Sequence, residues 1–382
     1  MLRLQTCARR NIQNRMQEIK KRRIVIASVL KPVDDSRMFE KLGKTLAKEY
    51  EAWIVGFKGR LHNHANLYQI PLPAFSRISF GRILAPWKIF RRAWSIKPHV
   101  VVITTHELLF QGLLLKLFRG SVLVYDVQEN YYRNILYTNS FPEWLRPLLA
   151  AHVRACERLT SPFISHYLMA EQGYKEELPF MAPKATVIAN KYAGPIVANK
   201  AKKNPGLKLL FSGTLSKSTG VFRAIKLAEK LHKVDSRTSL TIIGHCSLRD
   251  ELAQIKQAIH LKNHIQLIGG DHLVPHAQII DAVGQSDAGI IAYEVTPATE
   301  NSVPTKLYEY AANRLPILLY KQTPWRFMVD NWEAGVEFDD TTEGEKLLAT
   351  IETGQFYPEA PADVLWESEE QKLLKIFRQL EI

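Results

Sequence analysis

The chain has 382 residues, of which 46% are hydrophobic and 23% are charged. This composition is typical of a folded globular protein, excludes a largely disordered chain, and at this length suggests two domains. The formal net charge of +13 favours an anionic partner, such as a nucleic acid, an anionic lipid or a phosphorylated substrate, although a merely basic soluble protein is the plainer interpretation.

The cysteines and the apolar runs bear on the compartment. Cys7, Cys156 and Cys246 are scattered and have neither the spacing of a zinc site nor that of a disulfide framework, which favours a reducing cytoplasm. The first residues are too polar for a signal peptide, and no apolar run reaches the roughly 18 residues of a membrane-spanning helix. We therefore expect a cytoplasmic protein that does not cross a membrane but could lie on one.

Apolar strands and helix-period segments alternate through the first half of the chain. The run RIVIASVL begins at Arg23, and Met38, Leu42 and Leu46 then repeat at helical spacing. The segments AWIVGF and NLYQIPL follow, and HVVVITT and SVLVYDV have the pattern of fully buried strands. Continuous apolar strands separated by helices predict a parallel sheet covered on both faces, here over residues 1–195.

A second set of strands follows a segment without periodicity. The sequence GPIVANKAKKNPG predicts a linker over residues 196–206. The segments LKLLFSG, SLTIIG, IQLIGG, AGIIAYE and LPILLY then predict a second doubly wound α/β domain over residues 207–360. Two Rossmann-like domains of this kind are expected to face a cleft that holds the ligand at the carboxyl ends of the strands.

The tail of the chain, residues 361–382, is apolar at helical spacing. Leu373, Leu374, Phe377 and Leu380 predict one amphipathic helix, which we expect to return toward the N-terminal domain.

The segment TENSVPTKLYEYAANR carries the strongest chemical signal. Ser302 could cap a helix, Pro304 suits a first turn, and Lys306 and Glu309 then share one helix face. A helix N-terminus attracts a diphosphate, Lys306 would add a full positive charge, and Glu309 could accept hydrogen bonds from ribose hydroxyls. The plainer interpretation is an ordinary Lys–Glu pair on a solvated helix.

A second candidate phosphate loop is FSGTLSKSTGV, directly after the strand LKLLF. Gly213 and Gly220 flank a hydroxyl-rich loop whose backbone amides could approach a phosphate. The spacing matches neither G-x-G-x-x-G nor a Walker loop, so a plain strand-to-helix turn is the alternative.

Together, these two segments resemble the nucleotide-sugar-binding half of the GT-B glycosyltransferases, specifically glycosyltransferase family 4, whose members are also called group 1 glycosyltransferases. In that family a glycine loop touches the donor phosphates, and a later loop and helix carry two glutamates spaced by seven residues. Glu309 matches the second glutamate, which binds the ribose, and Pro304 with Lys306 looks like the P-x-K-x-x-E version of a subset. The resemblance covers nearly the whole chain and implies two Rossmann-like doubly wound parallel-sheet domains.

The chain departs from the family at two places. The family spacing leads from Glu309 back to Asn301, with Glu300 one residue earlier, so either could hold the sugar hydroxyls. Thr214 and Thr219 stand where the glycine loop usually carries an arginine and a lysine, and Lys217 could supply the missing charge. The donor-binding set that the resemblance implies is Gly213, Thr214, Lys217, Glu300, Asn301, Ser302, Val303, Lys306 and Glu309.

Candidate acceptor and catalytic residues lie mainly in the first domain. Asp35 and Arg37, at the start of the first helix, are expected to face the acceptor, although Asp35 could equally be an N-cap. His106 and Glu129 each follow a buried strand, and His106 is the preferred contact to sugar or acceptor, with a structural histidine as the alternative. The candidate catalytic residues are Lys306, His106 and Glu129.

Residues 77–97, RISFGRILAPWKIFRRAWSIK, are basic and aromatic together. The segment contains Arg82, Trp87, Lys88, Phe90, Arg91, Arg92 and Trp94. Aromatic rings at headgroup level and cations toward anionic lipid are typical of an interfacial segment, whereas the alternative is a surface helix whose rings belong to the core. The basic stretch of Lys20, Lys21, Arg22 and Arg23 favours the same membrane surface.

The resemblance implies a retaining hexosyltransferase that needs no metal and no cofactor. It would move a sugar from a nucleotide-diphosphate sugar to a glycan or lipid-linked acceptor, at the inner face of the membrane. Lysines and a helix N-terminus would then stabilise the departing diphosphate.

Two alternatives share this fold class: a nucleotide-sugar 2-epimerase, and a catalytically degenerate GT-B protein that only binds. A nucleic-acid partner is not expected, because no helix-turn-helix, zinc or RNA-binding signature is present. A nicotinamide dehydrogenase is disfavoured because no strand is followed by G-x-G-x-x-G.

Overall fold

The structure is a computed structural model that describes residues 22–73, 75, 79–138, 141–197, 206–321 and 323–380. The chain divides into two compact units. The first comprises Met1–Ala193 and Trp366–Ile382, and the second comprises Gly194–Leu365. Each unit is built on one parallel sheet with helices on its faces, so the predicted fold of two doubly wound α/β domains is confirmed.

In the described residues, the first unit has a seven-stranded sheet with the order β3-β2-β1-β4-β5-β6-β7. Its strands are β1 (Arg23–Pro32), β2 (Glu51–Phe57), β3 (Leu67–Leu72), β4 (Val100–Ile103), β5 (Val122–Val127), β6 (His166–Met169) and β7 (Ala185–Val187). The central strand β1 is buried on both faces, which explains why RIVIASVL shows no polar alternation. The sequence did not single out β6 or β7, which are short.

The helices of the first unit lie between these strands. They are α1 (Ser36–Gly43), which is wound as a π-helix, α2 (Lys44–Leu46), α3 (Phe80–Ile96), α4 (Leu109–Arg119), α5 (Tyr131–Tyr137), α6 (Arg146–Thr160) and α7 (Tyr174–Glu177). One face of the sheet is covered by α3 and α4, and α3 buries Ala85, Ile89, Ala93 and Ile96 at helical spacing. On the other face, α1 buries Met38 with the rest of its apolar stripe.

Along the described part of the second unit, a six-stranded sheet has the order β10-β9-β8-β11-β12-β13. Its strands are β8 (Lys208–Thr214), β9 (Ser239–His245), β10 (Ile265–Gly270), β11 (Ala288–Ile291), β12 (Ile317–Tyr320) and β13 (Gly335–Phe338). Its helices are α8 (Val221–Val234), α9 (Arg249–Ile259), α10 (His276–Gln285), α11 (Thr305–Ala312), α12 (Arg326–Asn331) and α13 (Gly344–Thr353). Strand order reverses between β8 and β11, so the loops after these two strands meet at a topological switch point.

The last helix, α14 (Glu367–Gln379), packs on the first unit. Leu373 and Phe377 are buried in the same core as α1. Trp366 Nε1 donates a hydrogen bond of 2.9 Å to Thr45 Oγ1, and Lys191 Nζ lies 2.7 Å from Glu369 Oε1. The amphipathic helix predicted for the tail is therefore present.

Candidate nucleotide-sugar site

The loop after β8 and the end of β11 are in direct contact. Gly220, at the start of α8, has φ +90°, and a Cβ there would lie 1.9 Å from the carbonyl oxygen of Ala292. Glu294 N donates a hydrogen bond of 2.8 Å to Ser218 O, which ties the two loops together. Only glycine permits both this backbone conformation and this approach. The two segments that the sequence singled out therefore meet at the switch point of the second sheet.

The hydroxyl-rich loop is held by its own hydrogen bonds. Thr219 Oγ1 donates to Thr214 O over 2.8 Å, and Ser216 N donates to Thr219 Oγ1 over 3.0 Å. Thr219, which stands where the family carries a cation, is buried and shapes the loop, whereas Thr214 is exposed. Lys217 is also exposed, and its backbone N–H donates to Glu251.

Lys306 is the most unusual side chain of this region. It is the second residue of α11 and only 6% exposed. Its Nζ has no hydrogen-bond partner among the described residues, and lies 4.3 Å from the ring centroid of Phe211 and 5.0 Å from that of Tyr293. Burial lowers the pKa of Lys306 to about 7, and the Glu309 carboxylate only partly opposes this.

The burial of Lys306 overturns the alternative of an ordinary ion pair on a solvated helix. A buried amine without a hydrogen-bond partner is costly for the fold. The space beside it is open, because a Cβ built on Gly213 would meet only Lys306 Cε, at 3.8 Å, among the described atoms.

Glu309 is held by a residue that sequence reasoning missed. His276 Nε2 lies 2.8 Å from Glu309 Oε2, and Glu309 is itself buried. His276 is the first residue of α10, which follows the strand β10 at its carboxyl end. That position was the signal available in the sequence, since polar residues that follow parallel strands gather at one edge of the sheet.

The segment before α11 is a turn. Glu300 is exposed, whereas Asn301, Ser302 and Val303 are half-buried. Trp325 Nε1 donates a hydrogen bond of 2.9 Å to the carbonyl oxygen of Ser302, which fixes the turn.

Ser302 does not cap the helix as expected. The N-cap of α11 is Pro304, which has no side chain that can accept a hydrogen bond, and the helix begins at Thr305. The first N–H groups of α11 therefore have no side-chain cap.

In the first unit, His106 lies at the carboxyl end of β4, where it begins a 3-10 turn. Its ring centroid is 4.7 Å from that of Tyr131, and Nδ1 is 3.5 Å from Glu107 Oε2. Burial lowers the pKa of His106, although Glu107 opposes the shift, and this favours the neutral form of the ring.

Glu129 follows β5 at the same edge of the sheet. Its carboxylate accepts a hydrogen bond of 2.8 Å from Asn134 Nδ2 and lies 3.8 Å from Lys31 Nζ, near the end of β1. Tyr131 follows Glu129 by two residues, and its hydroxyl donates a hydrogen bond of 3.3 Å to Thr104 O. The carboxyl edge thus gathers a neutral imidazole, a carboxylate and a lysine, of which Lys31 was not predicted.

The structure corrects the expectation for Arg37. Its side chain is buried, Nη2 lies 2.7 Å from Asp126 Oδ1, and Nη1 donates to Ile188 O over 2.9 Å. Asp35 Oδ1 accepts hydrogen bonds of 3.0 Å from the backbone N–H groups of Arg37 and Met38, so Asp35 is the N-cap of α1. Arg37 is thus part of an internal ion pair and does not face outward toward an acceptor.

Two negative findings apply to the described residues. Within them, no group of three or more His, Cys, Asp or Glu side chains is placed to hold a metal ion. Nor does any helix in that part of the chain have the length and apolar character needed to span a membrane. Cys7, Lys20, Lys21 and Arg77, which the sequence arguments used, lie outside the described residues.

Comparison with known proteins agrees with this geometry. Residues 195–353, which form most of the second unit, match the family described as glycosyl transferases group 1. Sucrose-phosphate synthase from Thermosynechococcus elongatus is similar in structure, with a TM-score of 0.72 at 12% identity, over 94% of this chain and 99% of that one. No curated protein sequence matches the chain at a significant level.

Two further structures share the fold and were solved with ligands. Anabaena HepE in complex with UDP-glucose gives a TM-score of 0.65 at 14% identity, over 94% of this chain and 99% of that one. The catalytic domain of starch synthase IV from Arabidopsis thaliana bound to ADP and acarbose gives 0.65 at 10% identity, with the same coverage.

The fold and the matched segment define the class: the chain is a glycosyltransferase with the GT-B fold. Residues 195–353 of its second unit match the group 1 glycosyltransferases. The resemblance inferred from the sequence is confirmed at this level, while membership of family 4 stays a prediction.

Proposed function

We propose that the protein is a retaining glycosyltransferase that uses a nucleotide-diphosphate sugar as donor. The observation that carries the proposal is Lys306, a buried amine with no hydrogen-bond partner among the described residues, beside Gly213. A diphosphate would supply the missing acceptors, and the uncapped N–H groups at the start of α11 add partial positive charge at the same place.

The donor diphosphate would raise the pKa of Lys306. In the empty site the pKa is about 7, because burial disfavours the ammonium form. A dianionic group at hydrogen-bond distance favours that form again, so Lys306 takes up a proton when the donor binds. The bond between the anomeric carbon and the diphosphate oxygen then breaks as the acceptor hydroxyl oxygen bonds to that carbon. The hydroxyl proton passes to the departing diphosphate, and the ammonium stabilises the negative charge that grows there.

The ribose is assigned to Glu309. Its carboxylate is buried and oriented by His276, which leaves oxygen lone pairs to accept from the 2′- and 3′-hydroxyls. Glu300 or Asn301, in the turn before α11, would contact the sugar hydroxyls together with Ser302 and Val303. The ligands of the similar structures, UDP-glucose and ADP, belong to the nucleoside-diphosphate class that these roles require.

The acceptor is assigned to the carboxyl edge of the first sheet. A neutral His106 can accept a hydrogen bond from an acceptor hydroxyl, and Glu129 and Lys31 offer polar groups at the same edge. The acceptor class is a glycan or a lipid-linked sugar.

Membrane docking is the second part of the proposal, and it rests on α3. Phe80, Ile83, Leu84 and Trp87 are exposed, with Phe80 84% exposed, although they are large and apolar. The cations Lys88, Arg91 and Arg92 on the same helix are exposed too. An exposed apolar face followed by exposed cations on the same helix fits an anionic membrane, which we place at the cytoplasmic side.

Two aromatic rings of α3 belong to the core, as the alternative interpretation of a surface helix predicts. Phe90 and Trp94 are half-buried and pack against the core of the first unit. The apolar part of the proposed membrane contact is therefore the N-terminal half of α3, the exposed cations Lys88, Arg91 and Arg92 follow it, and the rings of the second half belong to the core.

The donor experiment is a thermal-shift screen of the full chain against UDP, GDP and ADP and their sugars. A ligand that binds the folded state raises Tm by mass action, so the nucleotide that does so is identified. The sugar form of that nucleotide is then incubated with glycan and lipid-linked acceptors. We expect a glycosylated product and release of the nucleoside diphosphate; conversion of the donor into its 2-epimer without an acceptor would instead establish the epimerase alternative.

The membrane experiment is sedimentation with vesicles. Binding should need anionic lipid and weaken with salt. The double variant Phe80→Ser, Ile83→Ser should lose most of it, whereas the matched variant Leu261→Ser, at an exposed apolar residue of the second unit, should not. Binding that is equal for neutral and anionic vesicles would contradict the docking proposal.

A further inference from the structure

A cavity of about 730 Å³ lies in the first unit among α5, α6 and the segment after α7. Its polar lining comes from Asn130, Arg133, Arg154, Arg158 and the carboxylate of Glu177, with the rings of Tyr132 and Phe180 among them. This α5–α6 pocket takes no part in the donor or acceptor roles assigned above.

Two of the three arginines of the pocket, Arg154 and Arg158, lie against aromatic rings. The Arg154 guanidinium carbon lies 4.9 Å from the ring centroid of Tyr132 and 5.5 Å from that of Phe180. That of Arg158 lies 5.7 Å from Phe180. Stacking restrains a guanidinium while leaving its edge free to donate, so these side chains are partly ordered before a ligand binds.

The pocket carries an excess of positive charge. Arg133 Nη1 is paired with Glu177 Oε1 at 3.0 Å, and Arg154 Nη1 lies 3.3 Å from Glu157 Oε2. Burial raises the pKa of Glu157 to about 7, which weakens it as a neutralising charge. Arg158 is exposed and has no ion pair within the described part of the chain, so it is available to an anion.

An apolar stripe runs along α6 beside these arginines. Leu148, Ala151, Ala155 and Leu159 recur at helical spacing, and all four are exposed. Leu159 is 75% exposed and also lines the pocket. The surface thus combines an arginine-lined cavity with an exposed apolar strip about 16 Å long, at 1.5 Å per residue.

We propose that the α5–α6 pocket binds the phosphate head group of an anionic lipid, with the lipid chain along the stripe of α6. Guanidinium groups match the oxygens of a phosphate, and the stripe is covered by the apolar chain, so one amphiphilic molecule satisfies both features. The inference deepens the proposed membrane contact, because it gives the membrane-facing unit a specific head-group site apart from α3.

The test uses short-chain lipids below their micelle concentration, so that no membrane is needed. Calorimetric titration of the full chain should show binding of dihexanoyl phosphatidic acid and much weaker binding of dihexanoyl phosphatidylcholine, whose head group is neutral overall. Arg158→Gln should weaken phosphatidic acid binding by about tenfold, the order expected for loss of one charge-assisted contact. Arg249→Gln, at an exposed arginine of the second unit, removes the same charge and should change nothing.

A second variant tests the apolar half of the site. Leu159→Ser should weaken binding of the lipid but not of inorganic phosphate, because only the lipid covers the stripe. Both side chains are exposed, so the variants should fold, which their unchanged Tm would confirm. Equal affinity for both lipids, or unchanged affinity in Arg158→Gln, would overturn the proposal, and so would inorganic phosphate binding as tightly as the lipid.

One variant separates the head-group site from the proposal that α3 docks on a membrane. The double variant Phe80→Ser, Ile83→Ser should lose vesicle binding while its affinity for the short-chain lipid stays unchanged. A variant that lost both would show that the head-group site does not exist apart from α3, and would contradict the proposal.

Discussion

The side chain of Lys306 lies next to Gly213, where a Cβ would come 3.8 Å from Lys306 Cε. Gly213 has φ +95°, which favours glycine, and apart from its chain neighbours no other described residue has an atom within 4 Å of that Cβ position. The glycine therefore leaves space open beside a buried amine, and that space is where the donor diphosphate is assigned.

Gly213→Ala should weaken nucleoside-diphosphate binding. The positive φ costs about 1 kcal/mol of stability in any alanine variant, and the added methyl group also occupies the approach to Lys306. Gly120→Ala is the matched control, since Gly120 has φ +71° at the end of α4 with nothing near its Cβ position. Both variants should lose similar stability in denaturant unfolding, and only Gly213→Ala should lose affinity; equal affinity in the two would argue against a ligand at this place.

Lys306→Met should stabilise the empty protein. An apolar side chain of similar length avoids the cost of burying an amine without a partner, a gain of about 1–4 kcal/mol by analogy with buried ion pairs. Because the pKa of Lys306 is lowered in the folded state, the unfolded chain binds more protons between about pH 7 and the ordinary lysine pKa. Wild-type stability should therefore rise with pH across this window, relative to Lys306→Met, in unfolding measured at several pH values. A variant less stable than wild type would mean that Lys306 has a structural role.

Substitutions of Glu309 and His276 should weaken the binding of a nucleoside diphosphate but not the binding of pyrophosphate. Glu309→Gln removes the charge and replaces one of the two carboxylate oxygens by an NH2 donor, so one ribose hydroxyl loses its acceptor and affinity for a nucleoside diphosphate should fall by about tenfold or more. His276→Ala should lower this affinity less, because the substitution only removes the contact that orients the Glu309 side chain. Affinity for inorganic pyrophosphate should be unchanged in both.

The matched control for His276→Ala is His272→Ala, at an exposed histidine paired with Asp271 before α10. It should bind both ligands normally. If Glu309→Gln weakened pyrophosphate binding as much as nucleoside-diphosphate binding, the ribose assignment would be wrong.

The reaction should proceed with retention and without a divalent metal. We assign to Lys306 and the N-terminus of α11 the stabilisation of the departing diphosphate, which a metal cation provides in other enzymes. Proton NMR of the product should show the anomeric configuration of the donor, in the presence of EDTA as in its absence. An inverted product, or activity that EDTA abolishes and manganese restores, would contradict this course.

The sequence was enough to predict the fold because its buried strands are continuous apolar runs. RIVIASVL and LKLLF need no tertiary information to be recognised as central strands of parallel sheets, and both are central in the structure. The edge strand β7, Ala185–Val187, has only three residues, too few for any periodic signal.

The roles of charged residues were harder to predict, because they depend on partners far along the chain. The sequence places Arg37 toward an acceptor, but its partner Asp126 is 89 residues away and holds it in an internal ion pair. His276 meets Glu309 across 33 residues, a pairing that no local pattern indicates. Burial separates Lys306 from an ordinary surface lysine, and it follows from the packing of Phe211 and Tyr293 around it.

The most direct test of the central claim is calorimetric titration of a nucleoside diphosphate into wild type and Lys306→Met over a range of pH. If Lys306 binds the diphosphate as an ammonium, wild-type affinity should fall by up to about tenfold per pH unit above about pH 7, as the amine of the empty site loses its proton. Binding should take up a proton in that range, and Lys306→Met should bind weakly, show no such pH dependence, and lose about 10²-fold in kcat. A folded Lys306→Met protein with wild-type affinity and turnover would contradict the assignment.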